Sequence, residues 1–247
     1  MDTPVTPAHT ATRPHSLALP RLVIADGTIE ALKWLGVALM TIDHINKYLF
    51  NETNTAAFAA GRIAMPIFTF VLAYNLARPG TLERGVYPRT ALRLTVFGLL
   101  ATPVFMALGG LLAGVYPLNI MFTLLAGTAV LYLVERRAKV AAVAAFVVGG
   151  AVVEFWWPAV GFCVAVWLYT RSPGWRSLGL GLACCASLWA INGNLWVLAS
   201  LPIILVATRF DLTLPRARCA FYAYYPLHLS ALWLIRIPMA KAGYLFF

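Results

Sequence analysis

The chain has 247 residues, of which 61% are hydrophobic and 11% charged, and its mean hydropathy is +0.79. A soluble domain this apolar would carry large exposed hydrophobic patches. The formal charge of +10 is scattered between apolar runs, not gathered into one basic segment, which argues against nucleic acid as a partner and for positive charge that sets orientation in a lipid bilayer.

A spanning helix needs about 20 mainly apolar residues, so the chain has room for up to about ten spans and no sizeable soluble domain. Residues 1–27 are polar, with Pro4, Pro7, Pro14 and Pro20 among Thr and His, and read as a disordered cytoplasmic tail. This stretch lacks the early apolar core and cleavage site of a signal peptide. His9 and His15 belong to it and read as tail residues. Residues 28–247 read as a single transmembrane domain. Apolar runs place helices near 29–50, 56–77, 90–114, 117–134, 138–153, 155–170, 176–191, 194–208 and 219–236. In lipid every backbone polar group needs an internal partner, so these runs are expected to be helical, and the ten-residue alternation of a membrane β-barrel is missing. The expected fold is all-α, a polytopic integral membrane helical bundle of about nine spans. Cys163, Cys184, Cys185 and Cys219 form no C-x-x-C and lie in or beside apolar runs, so they read as free thiols, with no disulfide framework and no metal site expected.

Charge by side supports the count. Arg13, Arg21, Arg78, Arg84, Arg89, Arg136, Arg137, Lys139, Arg171, Arg176, Arg209, Arg216 and Arg218 fall on one face, thirteen in all, against Lys47, Arg236 and Lys241 on the other. Positive charge marks the cytoplasmic side, which gives an N-terminus inside and a C-terminus outside.

Polar groups within spans are costly and mark sites or pathways. The first span carries Lys33, Asp43 and His44. Lys33 and His44 lie eleven residues apart, three helical turns, so they share a face and stand roughly 16 Å apart along the axis. Asp43 can pair with Lys47 at i,i+4 or with Arg62 of the next span. The third span carries Arg93 near its inner end, and Asn119 opens the fourth. Glu154 lies between two spans beside Phe155, Trp156 and Trp157. The last span reads Phe221-Tyr222-Ala-Tyr224-Tyr225-Pro226-Leu-His228, where Pro226 frees the carbonyl of Tyr222. Asp43–Arg62 also reads as a plain interhelical tie, Lys33 and Arg93 as snorkelling cations, and the tyrosines and Glu154–Trp157 as interfacial anchors. An imidazole beside a carboxylate at mid-membrane depth suits proton transfer.

Three stretches resemble the TraX family of conjugative-transfer membrane proteins: Leu32-Lys33-Trp-Leu-Gly-Val-Ala-Leu-Met-Thr-Ile-Asp43-His44-Ile, Gly61-Arg62-Ile-Ala-Met-Pro66-Ile-Phe68-Thr-Phe, and Phe221-Tyr222-Ala-Tyr-Tyr225-Pro226-Leu-His228-Leu. Asn119 resembles a further family position, and Glu154-Phe-Trp-Trp-Pro158 departs from the Asp-Tyr-Gly-like stretch of relatives. The resemblance implies a bacterial inner-membrane protein, similar to membrane acyltransferases, that acetylates the N-terminal amine of a conjugative pilin subunit with acetyl-CoA as donor. On that reading His44 is the general base, Asp43 fixes its tautomer, and Arg62 and Asn119 steady the oxyanion or the acceptor. His228 is a further catalytic candidate; Lys33, Arg89 and Arg93 meet the CoA phosphates, and Tyr222 and Tyr225 line the substrate site. Alternatives at this stage are another pilin-maturation step (cyclisation or an assembly scaffold) and a proton-coupled transporter, the last opposed by the absence of an internal repeat. The charge asymmetry predicts that a reporter fused after Phe247 behaves as periplasmic and one inserted between Arg136 and Lys139 as cytoplasmic; alkaline phosphatase and green fluorescent protein fusions check both.

Overall fold

The computed structural model describes residues 19–109, 112, 114–217 and 219–246. The expected tail therefore lies largely outside the described residues. Its last part, 19–25, runs along the helices: Ile24 is buried and donates its N–H to the Tyr74 hydroxyl at 2.9 Å, and Tyr169 donates to the Pro20 carbonyl at 2.9 Å.

The described residues are helical throughout: α1 (Asp26–Leu49), α2 (Thr55–Gly61), α3 (Ala64–Leu76), α4 (Val86–Leu108), α5 (Ile120–Glu135), α6 (Lys139–Val152), α7 (Trp156–Arg171), α8 (Trp175–Ser187), α9 (Trp189–Asn192), α10 (Ser200–Ala207) and α11 (Ala220–Lys241). A short 3-10 turn, Trp196–Ala199, precedes α10. Leu118 and Val153 form an isolated β-bridge, with no strand among the described residues. Each of the nine expected apolar runs contains helix. Two helical stretches among the described residues, Thr55–Leu76 and Val86–Leu108, are long and apolar enough to cross a membrane by themselves. The apolar helices Ile120–Glu135, Lys139–Val152 and Trp196–Ala207 are shorter.

Departures from the expected bounds have local causes. The second run breaks between α2 and α3 at Arg62–Ile63, because Pro66 has no N–H to offer the Arg62 carbonyl four residues back. Pro66 then sits in the first turn of α3, where that N–H is not needed. The third run ends at Leu108, earlier than expected, where Gly109 takes φ 86. The seventh run is interrupted at Leu188, and the last extends to Lys241.

Helix α1 packs against α2 and α3 on one flank and α11 on the other; α4 fits between α11 and α5, and α7 joins α3, α5, α6 and α8. Three apolar clusters result, the smallest around Val130, Val153 and Val160. Of the other two, one is built on α3 and α7 around Ile67, Phe70 and Phe162, the other on the second half of α1 with α4 and α11 around Met40, Phe105 and Leu229.

The segment from α10 to α11 straps the start of α1. Thr28 donates to the Phe210 carbonyl at 2.8 Å and accepts from the Leu212 N–H at 3.1 Å, and the buried Glu30 accepts from the Ala217 N–H at 2.7 Å. Gly27 makes this approach possible, since a Cβ there would stand 1.9 Å from the Leu212 carbonyl oxygen. Alanine favours a helix over glycine by about 1 kcal/mol, but the obstructing atoms are backbone and cannot swing aside. Gly27→Ala is therefore expected to destabilise the protein by about 1–3 kcal/mol, read as a lower midpoint in thermal unfolding of the purified protein in detergent.

Candidate functional site

The bundle contains a cavity of about 980 Å³ between α1, α3, α4, α5 and α11. Its mouth lies where α1 begins and is lined by Lys33, Arg78, Arg84, Arg89, Arg93 and Arg216, with Asp26 among them. Deeper walls are apolar, with Val37, Met40, Phe68, Leu94 and Leu124, and the lining includes Ile120 and Tyr225 at the inner end. Of the residues expected to hold a donor, Lys33, Arg89, Arg93, Tyr222 and Tyr225 all line this space.

The basic mouth is partly neutralised from within. Asp26 pairs with Arg78 at 2.6 Å and with Arg216 of the strap. Asp26 precedes the expected span, and the hydrogen bond from Arg78, helped by the charges of both guanidinium groups against a modest desolvation, holds its carboxyl below the ordinary range. Lys33 binds Glu30 at 2.5 Å, Arg89 donates to the Gly85 carbonyl at 3.0 Å, and Arg93 lies over the Tyr222 ring at 5.9 Å.

One turn beyond Met40 and Tyr225, the histidines meet. Nδ1 of His44 is 2.7 Å from Nε2 of His228, and the two rings lie nearly parallel, 10° apart. Nδ1 of His228 is 3.0 Å from the Tyr224 carbonyl oxygen. A carbonyl only accepts, so a neutral His228 carries its proton on Nδ1 and presents a lone pair at Nε2. His44 must then donate from Nδ1, which leaves Nε2 of His44 with a lone pair, the form a general base requires. Tyr48 and Tyr225 flank His44 with ring centroids 5.4 and 6.4 Å away. Thr41 donates to the Val37 carbonyl at 2.7 Å and accepts from the Tyr224 hydroxyl at 2.8 Å, a further clamp between α1 and α11.

Asp43 makes the expected pair with Arg62 and does not orient His44. Neighbouring helical residues point about 100° apart and do not face a common partner, so Asp43 turns away from the histidine contact and binds Arg62 at 2.6 Å. Arg62 also approaches Asn192 at 3.4 Å and the Phe58 carbonyl at 3.3 Å. Gly61 lets the carboxylate in, since a Cβ there would lie 2.3 Å from that of Asp43. The partner that sets the His44 tautomer is His228, 184 residues away. Lys47, the other partner expected for Asp43, instead lies over the Tyr48 ring.

Asn119 is occupied with structure. It is 1% exposed, its oxygen accepts from the Met121 N–H at 3.1 Å as the cap of α5, and its amide donates to the Gly98 carbonyl at 3.0 Å and to Thr102 at 3.2 Å. Among the described residues no cluster of side chains is suited to hold a metal ion.

The sequence profile described as TraX protein matches residues 28–236, a stretch that holds both histidines, the Asp43–Arg62 pair and the whole cavity lining from Lys33 to Tyr225. The chain belongs to the TraX family. Over 71 residues the chain is also 38% identical to an uncharacterized protein of Rickettsia prowazekii (strain Madrid E), a match that covers 29% of this chain and 24% of that protein. No solved structure matches the chain.

The sequence reading missed four participants. Arg78, Arg84 and Arg216 were counted as orientation charges and prove to line the cavity mouth. Asn192, on a four-residue helix, carried no signal, because its only role is met in three dimensions. The geometry predicts that Asn119→Ala lowers stability by about 1–2 kcal/mol, the loss of a cap and a buried tie. Chemical denaturation in mixed micelles measures it; a substrate-binding residue with no structural part would leave the midpoint unchanged.

Proposed function

We propose that this TraX-family protein is a multi-pass inner-membrane acyltransferase that moves an acetyl group from acetyl-CoA to the N-terminal amine of a pilin subunit. The observation that carries the reading is the cavity that opens among cations and ends at Tyr225, beside the His44–His228 pair. Arginine and lysine suit the phosphates of CoA, and the apolar walls suit a pantetheine arm, which must reach inward from the cytoplasmic side.

The chemistry follows from the tautomers. The lone pair on Nε2 of His44 takes a proton from the acceptor ammonium or from the amine as it attacks. A bond forms between the amine nitrogen and the acyl carbon, the carbon–sulfur bond of the thioester breaks, and the sulfur leaves with the electron pair. His44 then returns a proton to the departing thiolate. His228 steadies the transient imidazolium, because its Nε2 accepts from Nδ1 of His44 throughout, as an orienting carboxylate does in a hydrolase triad. Asp43 and Arg62 serve this arrangement from outside it, by fixing the pitch of α1 against α2. A buried ion pair of this kind is costly to break from one side, on the order of 3–5 kcal/mol.

Purified protein in proteoliposomes, supplied with labelled acetyl-CoA and a conjugative pilin subunit, tests the reading. His44→Ala is expected to lower turnover by about 10²–10⁴-fold with unfolding temperature preserved. Arg93→Ala is expected to raise the donor KM with little change in kcat, since a remote phosphate clamp contributes uniform binding. An inert wild-type protein, or a stable His44→Ala protein with normal turnover, would overturn it.

A further inference from the structure

The cations of the cavity mouth are not equivalent. Lys33 is tied to the buried Glu30 at 2.5 Å. Arg84 and Arg89 donate to carbonyls of their own stretch of chain, those of Pro79, Gly85 and Arg84. Arg78 and Arg216 are held in another way. They come from distant parts of the chain, Arg78 from the link after α3 and Arg216 from the strap before α11. Both are bound by the carboxylate of Asp26, the first residue of α1 and the one acid among the described lining residues. Oδ1 of Asp26 receives Nη1 of Arg78 at 2.6 Å, and Oδ2 receives Nη2 of Arg216.

Two guanidinium groups on separate oxygens of one anion is also how arginines grip a phosphate. A phosphate in that place would offer a further oxygen and a higher charge than the carboxylate. The surroundings suit an exchange of one for the other. The strap is anchored on both sides of Arg216, through Phe210 and Leu212 to Thr28 and through Ala217 to Glu30, so its backbone stays at the mouth whatever the arginine binds. Arg78 is steadied by the Tyr74 ring, 5.4 Å from its centroid. The ion pairs themselves are open to water, with the side chains of Asp26, Arg216 and Arg78 exposed by 53%, 49% and 30%. Exposed pairs contribute little to stability, so the carboxylate can yield to a stronger anion without disturbing the strap.

We propose that Arg78 and Arg216 form a phosphate subsite at the cavity mouth, which Asp26 fills in the free protein and a phosphate group of the ligand takes over. The ligand class is a small molecule with more than one phosphate. A lone phosphate competes with a carboxylate that is always present, whereas a ligand already anchored by Arg84, Arg89 or Arg93 brings its second phosphate to the subsite at high local concentration. Asp26 thereby selects against inorganic phosphate. The inference deepens the donor reading and rests on it for the identity of the ligand, since coenzyme A carries phosphates at two positions of its nucleotide.

The test is isothermal titration calorimetry of the full-length protein in nanodiscs of zwitterionic lipid, with coenzyme A, tripolyphosphate and inorganic phosphate as separate probes. Asp26→Asn is expected to bind coenzyme A and tripolyphosphate about three- to tenfold more tightly than the wild type, because the ligand no longer competes with the carboxylate. Arg216→Gln in the Asp26→Asn background is expected to cancel that gain. Glu83→Gln removes an exposed acid near the mouth that makes no ion pair among the described residues, and is expected to change either affinity by less than about twofold, the general effect of one screened charge. Inorganic phosphate is expected to bind the wild type at least about tenfold more weakly than tripolyphosphate. Asp26→Ala serves if the thermal midpoint shows that Asp26→Asn does not fold. An affinity unchanged or weakened by loss of the carboxylate, a gain matched by Glu83→Gln, a gain that survives Arg216→Gln, or equal binding of inorganic phosphate would overturn the subsite. Tripolyphosphate that shows the expected pattern while coenzyme A does not bind keeps the subsite and counts against the donor reading. Coenzyme A that binds without the pattern does the reverse, and no binding of either overturns both.

Discussion

Two imidazoles from opposite ends of the chain, His44 and His228, approach to 2.7 Å, and much of the structure serves that contact. It requires α1 and α11 to lie side by side with a fixed rotation, which Thr41 and Tyr224 reinforce one turn earlier. It requires α11 to keep helical pitch through Pro226, so that the Tyr224 carbonyl remains in place to accept from His228. It also requires α1 to start at a fixed depth, which the strap from Phe210 to Ala217 secures through Thr28 and Glu30. A polar contact inside an apolar bundle has no water to fall back on, so an unmet donor or acceptor costs far more there than at a surface.

The same economy explains the division of the polar residues into two faces of α1. The histidine turns toward α11, and the carboxylate next to it turns toward α2 and Arg62. One face carries the contact between the two histidines, the other holds α1 to α2. Gly61 is the residue that lets α2 come close enough for the second face to work. Arg62 in turn reaches Asn192, so the tie extends to the segment that leads into α10.

Around the histidines the space is asymmetric. A large cavity with a cationic mouth approaches from the side where α1 begins and reaches as far as Tyr225. Tyr225 both lines the cavity and flanks His44, and so links the cavity to the histidine pair.

The sequence by itself determined the helical class, the placement of helix in each of nine apolar runs, and the identity of most residues that matter, because hydropathy and intramembrane charge are local properties that each side chain carries wherever it lies. Lys33, Arg93, His44 and His228 stood out for that reason. What only the tertiary structure decided was pairing. Sequence adjacency suggested Asp43 as the partner of His44, but helical geometry sends adjacent side chains apart, and the partner came from the far end of the chain. Asn119 offered a polar signal that capping and a tie to α4 fully explain, and only the packing of α4 on α5 could reveal that. Arg78 and Arg216 read as orientation charges, and only the link after α3 and the strap before α11 bring them over the cavity. The path of the chain at Glu154, set by a bridge and two left-handed residues, lay beyond any periodicity, because it depends on how two distant loops meet.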